Sequence, residues 1–147
     1  MHCHYTAPMA RDLTGQVILI TGGSSGIGAA TARACAAAGM HAVVAARRQD
    51  KLRAVVADIE KAGGKGLAAA CDVNSETDVA RLVEQALAAF GRIDVAFANA
   101  GYGIVGPVHE TTNEQAHDLF ETNFHGTLRL IRHVVPHMRQ AGRGHIL

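Results

Sequence analysis

The sequence predicts an α/β fold, a doubly wound parallel sheet, on three observations. Strand-like apolar runs alternate with helical stretches along the chain, the pattern of β-α-β units whose helices cover both faces of a sheet. The first run, "QVILIT" (residues 16–21), is apolar without alternation, as a strand buried on both sides must be. Glycines fall where the helices should end. Right-handed crossovers then favour the strand order 3-2-1-4-5, with the chain breaking off at the fifth strand.

After the first strand an alanine-rich helix spans about residues 27–38, and Gly39 ends it. "HAVVAA" is the second strand, residues 50–62 the second helix, stopped by Gly63 and Gly64, and "GLAAACDV" the third strand. Ser75 to Asp78 ("SETD") offers a capping box. Val79, Leu82, Val83, Ala86, Leu87 and Phe90 follow at helical spacing, and Gly91 closes that helix. "IDVAFANAG" is the fourth strand. A loop through Pro107 leads to a second box in "TTNE" and a long helical stretch to about Arg139, whose last turns Pro136 is expected to kink or shorten. Leu119, Phe120, Phe124, Leu128, Ile131, Val135 and Met138 define its inward face. Asn123 lies on that face, where an amide needs partners. "GHIL" opens the fifth strand.

Bulk properties narrow the function. A length of 147 residues suits one domain, large enough to bury roughly two-thirds of its unfolded surface. Hydrophobic content of 48% against 18% charged residues describes a folded chain. A net charge of +1 makes no electrostatic case for nucleic acid or an anionic membrane, and no apolar run approaches the roughly 20 residues of a membrane span. Cys3, Cys35 and Cys71 are odd in number and match no metal spacing, which favours a reducing cytoplasm over a disulfide framework. Residues 1–12 read as a disordered leader without the apolar stretch of a secretion signal, and Met9 offers an alternative start. His133 and His137 are spaced i, i+4, but Pro136 intervenes and no acid completes a metal set. His2, Cys3 and His4 are merely local. Surface roles are expected for both groups.

"TGGSSGIG" joins the first strand to the first helix. Gly22, Gly26 and Gly28 are spaced G-x3-G-x-G, unlike the common G-x-G-x-x-G fingerprint. The physics is shared: glycines let backbone approach a ligand, and the amides of a helix N-terminus face an anion. Ser24 and Ser25 add hydroxyl donors. A P-loop is excluded because no Lys-Ser or Lys-Thr follows. A tight turn that binds nothing is the plain alternative. The second strand ends "VVAARRQD". An NAD site usually places an acid there; Ala46 takes that position and Arg47 follows, which favours NADP(H) over NAD(H). Arg48 assists or faces water, and Asp50 reads as the cap of the next helix.

"TGGSSGIG", "CDV" and "NAG", in this order and at these intervals, resemble the short-chain dehydrogenase/reductase family over residues 13–147. The resemblance implies a Rossmann-type dinucleotide domain. In it Gly22, Gly26 and Gly28 would shape the pyrophosphate site, contacted by Ser24, Ser25 and Ile27. Asp72 and Val73 would border the adenine, Asp72 accepting from its amino group, and Asn99, Ala100 and Gly101 would lie beside the cofactor ribose. Ala98 stands where relatives often carry another asparagine. For Asn123 the resemblance implies a catalytic part, holding a water in the proton relay; the structural alternative is an amide bonded to a carbonyl of a broken helix.

The family's relay also needs a tyrosine, a lysine four residues later and a serine, all placed after the fifth strand begins. Tyr5 and Tyr102 are followed at that distance by Met9 and Gly106. Lys51, Lys61 and Lys65 belong to the second helix and the loop after it, and no serine follows Ser75. The expectation is an NADP(H)-dependent oxidoreductase acting on a small carbonyl or alcohol substrate, present as its cofactor-binding portion. That portion is expected to be inactive alone and, with an apolar sheet edge uncovered, marginally stable. Tyr102, Ile104 and Val105 would line the near wall of the substrate pocket, and relatives commonly form homo-oligomers through the long helix. A non-catalytic nucleotide- or partner-binding module is the alternative; a Rossmann-like domain for another adenine-containing ligand, such as a methyl donor, is a third.

Overall fold

The computed structural model describes residues 12–147. Five parallel strands form one sheet in the order β3-β2-β1-β4-β5, the topology the alternation predicts. The strands are β1 (Val17–Thr21), β2 (His41–Ala46), β3 (Lys65–Ala70), β4 (Val95–Phe97) and β5 (His145–Ile146). The helices are α1 (Gly26–Ala37), α2 (Gln49–Lys61), α3 (Glu76–Phe90), α4 (Asn113–Phe120) and α5 (Gly126–Gln140). The expected leader, apart from Asp12, and the His2, Cys3 and His4 set lie outside the described residues.

β1 explains the two-sided core. Val17 and Leu19 face the layer made by α3 and α5, where they meet Leu82, Leu130 and Val134. Ile18 and Ile20 face the opposite layer of α1 and α2, with Ala32, Leu52 and Ile59. All four strand side chains are buried, and each such burial contributes roughly 1.5–3 kcal/mol. Small residues on α1 (Ala29, Ala32, Ala36) let that helix lie close to the sheet. Among the described residues no helix is long and apolar enough to cross a membrane.

Several local expectations need correction. Asp50 lies in the first turn of α2 and Arg48 holds the cap position; the carboxylate meets the positive end of the helix dipole without capping it. Ser75 Oγ accepts from the Asp78 N–H (3.2 Å), but the Asp78 carboxylate turns to the Asp72 N–H (3.0 Å) and Arg81 (2.7 Å), so only half a capping box forms. β3 ends at Ala70, and the Asp72 N–H bonds to a side chain and not to a neighbouring strand. The second box is Thr112 with Gln115, one residue later than "TTNE". "TTNEQ" contains both spacings, and spacing alone cannot choose between them. β4 stops at Phe97.

The long helical stretch departs most. A π-helical turn, Glu121–His125, separates α4 from α5. Its wider turn puts the faces of α4 and α5 out of step. Gly126, Leu130, Val134 and Met138 are therefore the buried positions of α5, while Phe120 and Phe124 are 61% and 52% exposed. Asn123, placed inward by the constant-period reading, is exposed too. Pro136 does not shorten α5, which runs on to Gln140; buried Met138 anchors the final turns to the sheet.

At the amino ends of the strands one buried acid joins three segments. The Asp94 carboxylate accepts from the Val17 N–H (2.8 Å) and from Arg92 Nε (2.7 Å) and Nη2 (2.5 Å), with Arg143 Nε 3.4 Å away. Its main chain bonds to Val17 and His145. Burial pushes the Asp94 carboxyl up, but Arg92, the Val17 amide and Arg143 together outweigh it and hold the carboxyl below its usual 3.8. A lowered carboxylate pKa stabilises the fold above the unfolded value and loses that contribution as pH falls through the folded one. Asp94→Ala should lower unfolding free energy by about 1–3 kcal/mol at pH 7, measured by urea denaturation. The gap to the parent chain should shrink progressively below about pH 3.8, where the wild-type carboxylate itself takes up a proton.

Candidate functional site

The carboxyl ends of β1 to β4 open on a cavity of about 640 Å³. It sits where the strand order reverses, between β1 and β4, the position at which open parallel sheets bind ligands. Gly22, Ser24, Ser25, Gly26, Ile27, Arg47, Asp72, Val73, Asn99, Ala100 and Gly101 all line it. Gly28 and Asn123 do not.

The turn after β1 is built on close approach. Gly22 has φ +68°, and a Cβ there would stand 2.8 Å from Asn99 Nδ2 and 2.9 Å from Ala100 Cα. A Cβ at Gly28 would stand 2.6 Å from both Gly22 O and Asn99 Nδ2. Gly28 is thus a packing glycine that seats α1 against the turn. Ser25, at the cap of α1, makes no side-chain capping bond, and Ile27 is 72% exposed. The side chain of Ser25 thus satisfies none of the amides that open α1.

Thr21, which the sequence reading passed over, joins the two central strands. Its hydroxyl donates to Phe97 O (3.4 Å) and accepts from the Ala100 N–H (3.2 Å). Asn99 Nδ2 donates to Thr21 O (3.0 Å) and Gly22 O (3.3 Å). A lone hydroxyl ending an apolar strand was the available signal. Arg48 is not merely solvated: its Nη2 donates to Ser24 Oγ (3.3 Å) and Ser25 Oγ (3.2 Å), and it lines the cavity with Arg47.

The other end is shaped by the segment after β3. Asp72 Oδ1 accepts from the Asn74 N–H (3.0 Å). Burial, then the Asp78 and Asp72 charges, push the Cys71 thiol up to about 12, leaving it a neutral part of the lining at neutral pH. Asn74 Nδ2 donates to Thr122 Oγ1 (3.1 Å), and both residues line the cavity, a pair invisible without the π-helical turn. Asn123 sits in that turn. Its Oδ1 accepts from the Tyr102 N–H (3.1 Å) and its Nδ2 donates to Tyr102 O (2.8 Å). The amide therefore grips the segment after β4; the carbonyl within its own helix expected as an alternative partner is not its acceptor. Tyr102 lines the cavity, whereas no lysine among the described residues does. His133 Nε2 lies within hydrogen-bond distance (2.7 Å) of Glu76 Oε1 on α3.

A family model described as short chain dehydrogenase matches residues 16–147. The chain is 37% identical over 139 residues to a fatty acyl-CoA reductase of Acinetobacter baylyi, covering 92% of this chain and 47% of that protein. It is 41% identical over 142 residues to a fatty acyl-CoA reductase of Mycobacterium tuberculosis, with the same coverage of 92% and 47%. A metagenomic short-chain oxidoreductase solved in complex with NADP superposes with a TM-score of 0.86 at 41% identity, over 92% of this chain and 62% of that one. The chain thus spans about half the length of the curated relatives it matches.

Gly28→Ala should destabilise the chain by about 1–3 kcal/mol, because its methyl would meet the main chain of Gly22 as well as the Asn99 amide, and the main chain cannot swing aside as a flexible side-chain end can. Thermal unfolding followed by circular dichroism checks this. An unchanged melting temperature would contradict the close packing described for the turn.

Proposed function

The chain belongs to the short-chain dehydrogenase family, and from that premise we propose that its cavity takes NADP(H) in preference to NAD(H). One observation carries the preference. At the end of β2, Arg47 and Arg48 line the cavity, Arg48 reaches the two serines of the glycine turn, and Ala46 stands where a carboxylate would repel a 2′-phosphate. Guanidinium groups suit a phosphate by charge and by fork geometry. The donor set fits the rest of a dinucleotide. The α1 amides with Ser24, Ser25 and Ile27 would hold the pyrophosphate, Asp72 and Val73 would border the adenine, and Asn99, Ala100 and Gly101 the ribose. The metagenomic relative solved with NADP supports the assignment.

Bound there, the dinucleotide would supply hydride exchange with a carbonyl or alcohol, the oxidoreductase chemistry of the family. Tyr102 lines the cavity and Ile104 and Val105 follow it, exposed, as the near wall of the substrate site. Asn123 is assigned to the proton relay as a water-holding residue, supported by its place in a π-helical turn next to Tyr102. No Tyr-x3-Lys pair occurs in these 147 residues, and loss of a positioned acid/base typically reduces rate by about 10² to 10⁴. The 147-residue chain is therefore a cofactor binder without turnover of its own. Pairing of copies through α4 and α5 belongs to the same reading, supported by the exposed Phe120 and Phe124, as does a cytoplasmic setting, supported by the cysteine pattern.

Titration with NADPH and NADH should show tighter NADPH binding. Arg47→Asp should reverse that order, shifting the ratio of the two affinities by about 10- to 100-fold. Tighter NADH binding by the parent chain would overturn the cofactor assignment, and brisk carbonyl reduction by the purified 147-residue chain would overturn the reading of its chemistry.

A further inference from the structure

We propose that Arg129, on α5, is a positioning residue that sets the wall of the cavity at the adenine end; the inference rests on the reading of the cavity as an NADP(H) site. Arg129 does not line the cavity itself. Its side chain is only 18% exposed, and its guanidinium ties α5 to the π-helical turn and to the stretch from Val73 to Glu76, more than fifty positions earlier. Nη1 donates to the Val73 carbonyl (3.2 Å), Nη2 pairs with the Glu121 carboxylate, and Nε lies 3.5 Å from Glu76 Oε2. Val73 belongs to the segment after β3, Glu121 opens the π-helical turn, and Glu76 opens α3.

Two of those segments form the wall in question. Val73 and Asn74 line the cavity from one side and Thr122 from the other. The seam between them is tight: Asn74 Nδ2 reaches Thr122 Oγ1 at 3.1 Å, and a Cβ at Gly126 would stand 2.8 Å from Val73 Cγ2. Arg129 supplies the positive charge at this seam, bonded to a carbonyl on one side and a carboxylate on the other. The hydrogen bond from Arg129 is the leading cause that holds the Glu121 carboxyl below its usual range, so the acid is ionised at neutral pH. Without the guanidinium, the Val73 carbonyl loses a charged donor and Glu121 loses its counterion. The seam then loosens, and with it the placement of Asp72 and Val73 toward the adenine. A lysine cannot replace the arrangement, because an ammonium is a point donor and not a planar fork that spans three acceptors.

The test compares NADPH with its deamino analogue, in which hypoxanthine replaces adenine and the amino group assigned to Asp72 is gone. The parent chain should bind NADPH more tightly than the analogue. Arg129→Met should weaken NADPH by about tenfold or more and bring the ratio of the two affinities close to one. Arg129→Lys should lower the ratio in the same direction and decides the matter if the methionine variant does not fold. A general loss of stability would weaken both ligands together and leave their ratio alone, so an unchanged ratio in a folded variant overturns the proposal. A parent chain that binds NADPH without discriminating against the analogue overturns it as well, while leaving the NADP(H) reading intact. A parent chain that binds no NADPH overturns that reading itself, and this inference with it.

Discussion

Everything at the cavity depends on how closely main chain approaches main chain where β1 and β4 diverge. The turn at Gly22, the first turn of α1 at Gly28 and the segment from Asn99 to Ala100 converge so tightly that a Cβ on either glycine would lie under 3 Å from its neighbours. Thr21 and Asn99 close the same junction with hydrogen bonds. That convergence aims the opening amides of α1 at the crevice.

The two ends of the sheet are built on opposite principles. At the amino ends, Asp94 satisfies its charge within the protein, with two arginines and a backbone amide as partners. At the carboxyl ends, donors are left available: helix amides, Arg47, and hydroxyls held in place by Arg48. An acid paired inside the fold stabilises it, whereas donors turned outward suit a ligand that brings its own charge. The π-helical turn belongs to the second kind. It gives up regular packing, leaves Phe120 and Phe124 exposed, and brings Thr122 to the cavity and Asn123 to the main chain of Tyr102.

Much of this was legible in the chain, for particular reasons. Strands buried on both faces read as unbroken apolar runs, so β1 and β2 stood out, and a parallel sheet with right-handed crossovers left one natural order. Residues contiguous with those strand ends, Gly22 and Arg47, could be placed because their positions follow from the strands themselves. The stripe on α5 was misplaced because a periodicity argument assumes one pitch throughout. A π-helical turn leaves no composition signal in "ETNFH" that would warn of the change. Thr21 carried a signal, a hydroxyl closing an apolar strand, but its two partners lie on β4 and just beyond it.

Local pattern thus determined the elements, their order and the glycine turn, because these depend on neighbours in sequence: burial on both faces, caps, and backbone freedom. Tertiary structure decided which side chains share the cavity wall. The Asn74–Thr122 bond, the grip of Asn123 on Tyr102, the reach of Arg48 to the serines and the bond from Arg129 to the Val73 carbonyl each join residues more than twenty positions apart. Such contacts are set by the angle and pitch at which helices settle on a sheet, and no local spacing encodes those quantities.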